Sequence, residues 1–188
     1  MRHLPRVSAL LVIAALAACN SQKEPAEAAV KAARDALNTV DTADMRYAAA
    51  DAKSVRDSVD NAEAALERAA YPLAIQEATG VPERVTKLKA SIASRKAELT
   101  ELWTKASTAV PPFLTAVNNR LKGGGGLSRA DAEMARTEME NVSNAWTEAE
   151  VAAQSGDVGT AAAKSADVKN ALVAMAAKLR MKVPADLQ

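Results

Sequence analysis

Histidine and cysteine, which supply most metal ligands and activated nucleophiles in proteins, are almost missing from this chain. Its 188 residues include one histidine, His3, and one cysteine, Cys19, and only 3% of them are aromatic. One cysteine cannot form an intramolecular disulfide. A single imidazole and a single thiol also cannot supply the four ligands of a structural zinc site or the Cys-x-x-Cys-His motif that attaches haem.

The first residues have the layout of a secretory signal peptide. Arg2 and Arg6 precede an apolar run over 7–18, which ends in small residues. A helix that spans the hydrocarbon of a bilayer needs about 20 apolar residues. Because this run has only twelve residues, we expect a cleaved signal and not a retained membrane helix.

The apolar run ends in Leu16-Ala17-Ala18-Cys19, which resembles the lipobox of bacterial lipoproteins. The resemblance implies that diacylglycerol is attached to the Cys19 sulfur, that residues 1–18 are then cleaved off, and that the new amine is acylated. Cys19 is therefore the expected lipidation site, and chains such as palmitate would hold the protein at a membrane. Each buried methylene contributes about 0.8 kcal/mol, so two or three chains anchor durably.

Cleavage before Cys19 would also remove His3, so the mature chain would have no imidazole and a blocked thiol. Neither a Ser-His-Asp triad nor a Cys-His pair could form. We therefore expect no enzyme, and no catalytic, cofactor-binding or metal-binding residues. Lysine and arginine total 24 against 23 aspartates and glutamates, and this even balance does not favour nucleic acid, whose binding needs clustered positive charge.

The remaining sequence predicts an all-α fold. Residues 19–24 are expected to form a lipidated polar tether, and residues 25–188 a single helical domain. Apolar residues recur at steps of three and four, as on one face of a helix. The predicted architecture is an antiparallel helical bundle or a short stack of helical hairpins, with about five or six helices. Helical segments are predicted over about 25–40, 46–69, 72–80, 83–110, 113–121, 128–154 and 158–183, and the segments on either side of Gly80 and Pro82 form one helix if that pair marks a kink and two if it marks a full break.

The longest pattern begins at Glu83 and is predicted to stop at Pro111-Pro112, since proline disrupts a helix interior. Its expected buried stripe is Val85, Leu88, Ile92, Leu99, Leu102, Ala106 and Val110.

Four glycines predict a flexible loop over 122–127, because glycine has high backbone entropy and no side chain to pack. A phosphate-binding loop is the alternative, but Leu127-Ser128 follows where a Walker motif needs Lys-Ser or Lys-Thr. Ser128 and Asp131 have the spacing of a capping box and predict the start of a helix.

Two segments look related at a spacing of 87 residues. Ala62-Glu63-x-Ala65 precedes Tyr71, Ala74 and Ala78 in the first segment, and Ala149-Glu150-x-Ala152 precedes Val158, Ala161 and Ser165 in the second. The second resembles a tetratricopeptide hairpin, although true arrays repeat every 34 residues. Similar packing and common ancestry both remain open. With Trp103 before the proline pair and Trp146 before Gly156, the chain also resembles bacterial helical lipoproteins of unknown function, which implies a fold but no activity.

Other candidate groups have simple structural interpretations. Trp103 and Trp146 should fill the core, although either could line a pocket. Basic and acidic residues are interspersed, as on solvated helix faces; the basic ones are Lys87, Lys89, Arg95, Lys96 and Lys105, and the acidic ones Glu133, Glu138, Glu140, Glu148 and Glu150. A di-iron site would need Glu-x-x-His motifs, which the mature chain would lack.

These observations lead to two hypotheses of function. The first is a membrane-anchored periplasmic lipoprotein that acts as a non-enzymatic helical scaffold or adaptor for another envelope protein. The second is a carrier of a small apolar or envelope-derived ligand, suggested by Met134, Met139, Met175, Met181 and the tryptophans. Asn20 stands where aspartate would signal inner-membrane retention, which favours the outer membrane.

Overall fold

The computed structural model describes residues 22–187, and these residues are helical and contain no strand. The predicted all-α fold is confirmed. The α-helices are α1 (Lys23–Asn38), α2 (Ala49–Glu67), α3 (Tyr71–Thr79), α4 (Val81–Lys122), α5 (Arg129–Gln154) and α6 (Val158–Lys178), with short 3-10 helices at Asp44–Ala48 and Ala185–Leu187. Cys19 and the predicted signal peptide lie outside the described residues. The tether was predicted to extend to residue 24, but α1 already begins at Lys23.

The described residues divide into two compact units, one that ends at Ala93 and one that begins at Ser94. The first unit contains α1, α2, α3 and the beginning of α4. The second contains α4 from Ser94 onward, α5, α6 and the last 3-10 helix. The single domain expected over 25–188 stays a prediction.

Alanine dominates the core of the first unit. Ala26, Ala33, Ala62, Ala65 and Ala74 are fully buried in one cluster with larger aliphatic residues. Such small side chains let helices approach closely, and so α1, α2 and α3 pack directly against one another.

Larger side chains fill the core of the second unit. Phe113 from α4, Met139 and Trp146 from α5, Leu172 from α6 and Leu179 directly after α6 all lie in one buried cluster. The predicted recurrence of apolar residues at steps of three and four holds here, since those from Ala135 to Ala149 on α5 and from Ala161 to Met175 on α6 are buried.

The predicted helix end at Pro111-Pro112 is wrong, because α4 continues through both prolines to Lys122. A proline inside a helix costs about 3 kcal/mol or more. Beyond the pair, however, Phe113, Val117 and Leu121 are all buried, and burying each such side chain contributes about 1.5–3 kcal/mol. Continuing the helix keeps these residues on the same buried face as Val110, and the energy of burying them is of the same order as the cost of the two prolines.

Two further predictions are corrected by the structure. Leu102 was expected in the buried stripe of α4, but its side chain is 53% exposed. The stripe instead passes from Leu99 through the half-buried Trp103 to Ala106. The helix predicted over 46–69 is also divided, since residues 44–48 form a 3-10 helix before α2 begins.

Ser128 caps α5 as predicted. Its hydroxyl oxygen accepts a hydrogen bond from the Asp131 backbone N–H at 3.2 Å. The same hydroxyl donates to the Asp131 carboxylate at 2.6 Å, where a glutamate in a capping box would bond the cap's own backbone. The cap fixes where the chain re-enters a helix after the glycines.

Gly125 should be the glycine in this loop that is least tolerant of substitution. Gly124, Gly125 and Gly126 all have positive φ, at 81°, 58° and 73°, which costs a non-glycine residue about 1–2 kcal/mol. Only at Gly125 would a Cβ also meet another atom closely, at 2.5 Å from Cδ2 of the fully buried Leu179. Gly125→Ala should therefore lose about 1–3 kcal/mol more than Gly124→Ala.

Urea denaturation followed by circular dichroism measures this difference. Gly124→Ala and Gly126→Ala are matched controls, because a Cβ at either position meets nothing within 4 Å. Equal losses of unfolding free energy in all three variants would show that the contact with Leu179 is unimportant.

Candidate functional site

A groove in the second unit is the most distinctive concave feature of its described surface. It has a cavity volume of about 240 Å³. Leu102 and Ala106 of α4 form one wall, Ala162 and Ala166 of α6 form the other, and Leu187 lies against them. The lining is predominantly apolar.

The groove exists because both of its walls are built from small residues. Ala106 and Ala109 on α4 lie opposite Ala162 and Ala166 on α6. A leucine or phenylalanine at these positions would fill the space, as larger residues do elsewhere in this unit. The spacing of apolar residues in the sequence does not reveal the groove, because alanine on a helix face is equally typical of close helix packing.

Ser165 is the one buried polar residue in the groove wall. Its hydroxyl donates to the Ala162 carbonyl oxygen at 2.8 Å, so this donor is already used within α6. The depth of the groove is therefore suited to an apolar group, because a polar group there would lose its hydrogen bonds with water.

Charged residues of both signs surround the groove. Lys105 and Lys169 lie on its walls and Asp186 lies beside Leu187. Lys105 pairs with Glu101 at 2.6 Å, and this hydrogen bond, followed by the charge of the ammonium, lowers the pKa of the Glu101 carboxyl. Such exposed pairs contribute little binding energy, so the apolar lining determines what the groove can hold.

The side chains of Trp103 on α4 and Trp146 on α5 stack against each other. Their ring centroids are 5.3 Å apart and their planes are inclined by 23°. Trp146 is 7% exposed, and its indole N–H donates to the Glu150 carboxylate at 2.9 Å. The core role predicted for Trp146 is confirmed, and Trp103 is half-buried against the same core. Neither ring lines the groove.

The methionines that suggested a ligand cavity do not form one. Met139 and Met175 are buried in the core, Met181 is partly buried, and Met134 is 61% exposed. The apolar part of the groove's lining consists of alanine, leucine and valine instead.

At least six of the ten charged candidates form surface ion pairs, as is typical of solvated helix faces. Lys87 pairs with Glu83 at 2.8 Å and lowers the pKa of that carboxyl, and Arg95 pairs with Glu98 at 3.0 Å. The acidic candidates also have basic neighbours. The pairs are Glu133 with Arg129 at 3.5 Å, Glu138 with Lys178 at 2.8 Å, and Glu148 with Lys164.

A second cavity of about 280 Å³ lies in the first unit. Asp51 and Ser54 of α2 line it together with Arg84 and Lys87 of α4. Its side chains carry both charge signs and are largely exposed, so it selects neither an anion nor an apolar group.

The part of the chain that the structure describes contains no group of three acidic, histidine or cysteine residues placed to hold a metal ion. Within that same part, no helix is long and apolar enough to cross a membrane.

The chain matches no family model, no curated protein and no solved structure. Its function must therefore be inferred from its own residues and geometry.

The groove was not predicted as a binding site from the sequence. Leu102 was assigned to the core, and Leu187 lies beyond the last predicted helix. The signal in the sequence that could have indicated a return of the chain to the core is Leu187 itself, an apolar residue that follows Pro184.

Proposed function

We propose that this protein is a bacterial lipoprotein, anchored through Cys19 to the periplasmic side of the cell envelope, which acts as a non-enzymatic helical adaptor for other envelope proteins. The lipobox-like sequence over 16–19 supports the anchor. Asn20 favours the outer over the inner membrane. The groove in the second unit is the observation that supports the adaptor role.

The size of the groove supports a side chain of a partner protein as its occupant. Pockets for drug-sized ligands measure about 300–1,000 Å³, and a cavity of about 150 Å³ holds benzene. The volume of about 240 Å³ falls between these values and suits one or two apolar side chains. Buried anchors of this kind supply most of the binding energy in protein interfaces.

Exposed apolar surface next to the groove also supports protein binding. Leu102 forms part of the groove wall and is 53% exposed, so a bound partner would cover it. At about 25 cal/mol per Å² of apolar surface, covering the rim of the groove would add to the energy gained inside it.

Cys19→Ser should abolish membrane attachment. Cys19 is the only cysteine in the sequence, so no other residue can replace the sulfur that lipidation requires. Labelled palmitate should appear on the wild-type protein and not on the variant, and globomycin should block processing of the wild type. An unlabelled wild-type protein, or processing that is insensitive to globomycin, would rule out the proposed anchor.

Photocrosslinking in intact cells tests the adaptor role separately. A photoreactive amino acid at position 102 should trap a defined envelope protein. Val151 is the matched control, because it is also a large exposed apolar residue of the second unit, at 59%, but does not line the groove. Recovery of lipid alone, or of the same products from both positions, would contradict binding through the groove.

A small apolar ligand is the second candidate occupant, because the groove is concave and apolar. Native mass spectrometry of the gently extracted protein distinguishes the two. An additional bound mass that disappears when Ala162→Leu fills the groove would favour a carrier, whereas an empty protein would favour the adaptor.

A further inference from the structure

The two units contain the same helical hairpin at a spacing of 87 residues. In the first unit α2 ends at Glu67 and α3 begins at Tyr71, and in the second α5 ends at Gln154 and α6 begins at Val158. The end of one helix and the start of the next are therefore both displaced by the same number of residues.

The backbone of the two turns is also equivalent. Ala69 and Gly156 each take the left-handed conformation, with φ of 56° and 81°. In both turns the next residue donates its N–H to the carbonyl five residues earlier, which is the Schellman arrangement of a helix end. These hydrogen bonds measure 2.9 Å from Ala70 to Ala65 and 2.8 Å from Asp157 to Ala152.

The same spacing pairs the buried positions after the turn. Each residue on the inner face of α3 and early α4 has a buried counterpart on α6: Ala74 and Ala161, Ala78 and Ser165, Val81 and Val168, Val85 and Leu172, Leu88 and Met175, Ile92 and Leu179. Before the turn, Val55 pairs with Val142, Val59 with Trp146, and Ala62 with Ala149, and all of these are buried.

We infer that the two hairpins, α2 with α3 and α5 with α6, arose by tandem duplication of one helical hairpin. Amphipathic helices readily match over a single face, because apolar residues recur every three or four positions. Convergent packing, however, does not require that a single spacing align the buried faces of both helices, the end of the first helix, the start of the second and the hydrogen bond in the turn between them. The boundary between the units after Ala93 agrees, since its counterpart Arg180 follows the last residues of α6.

The copies have diverged at positions that the core does not determine. In the first copy Gly80 separates α3 from α4, whereas the equivalent Asp167 lies inside the continuous α6. Ile75 of the first copy corresponds to Ala162, which lines the groove. The duplication stands independently of the proposed function.

A turn exchange in the full-length protein tests the equivalence. Residues 154–157, Gln-Ser-Gly-Asp, replace residues 67–70, Glu-Arg-Ala-Ala. Glycine should then relieve the positive φ of Ala69. Aspartate should supply the side-chain cap that α3 lacks, as Asp157 does by accepting from the Thr160 N–H at 3.0 Å. We expect the melting temperature to rise by about 2–4 °C or more.

The control places the same four residues in reverse order over 67–70, so that serine takes the left-handed position 69 and aspartate leaves the cap position 70, while Tyr71 is kept. This variant should not melt above wild type. The duplication is supported if the in-register exchange melts at or above wild type and above the reversed one. It is overturned if the in-register exchange melts below wild type or no higher than the reversed exchange.

Discussion

Trp146→Ala should reduce the free energy of unfolding by about 3–5 kcal/mol, the loss typical of large aromatic truncations in cores. Trp146 is 7% exposed within the core of the second unit. Its stacking on Trp103 contributes about 0.5–1.5 kcal/mol beyond the buried area. The alanine variant also removes the indole N–H that donates a hydrogen bond to the Glu150 carboxylate. Urea denaturation followed by circular dichroism measures the loss.

Trp103→Ala is the matched control, because it removes the other member of the same stack from a half-buried position. Its loss should be smaller, and Trp146→Phe should recover part of the stability without the hydrogen bond. If truncating Trp103 were as damaging as truncating Trp146, the stack itself and not core burial would account for the stability.

Leu187→Ala should cost about 2–5 kcal/mol even though it lies one residue from the end of the sequence. Leu187 is 2% exposed and packs into the core of the second unit. The final 3-10 helix places it there, with its N–H donating to the Pro184 carbonyl at 3.1 Å. Through this side chain, the segment that follows α6 packs against the core of the second unit.

Leu102→Ala is the control for this second prediction. Leu102 also lines the groove but is 53% exposed, so its truncation should change stability by less than about 0.5 kcal/mol. Thermal melting of both variants measures the difference. Loss of binding without loss of stability in Leu102→Ala would separate recognition from folding, whereas a stable Leu187→Ala would show that the C-terminal segment does not support the core.

The buried faces of α5 and α6 and the Ser128 cap could be predicted because they depend on residues within one or two helical turns. The prolines in α4 show the limit of such local reasoning. Pro111 alone argues for a break, but the decision rests on Phe113 and Val117 meeting side chains of α5 and α6, and sequence spacing does not show where those helices lie.

The groove was missed for a related reason. Ala106 and Ala162 are 56 residues apart in sequence, and only the packing of α4 with α6 brings them to one cavity. Whether an alanine fills a close contact or borders an empty volume depends on what lies opposite. Leu102 illustrates the same point. Its position in the pattern of apolar residues suited the core, but the side chain of Trp103 packs against the core instead.

The sequence by itself determined the helical class and the position of most helix ends, because these follow from local periodicity and capping. Only the tertiary structure decided that α4 continues through its prolines, that alanines leave a groove between α4 and α6, and that two hairpins share one register. Those outcomes depend on side chains that are distant in the chain, and their energies exist only once the helices pack.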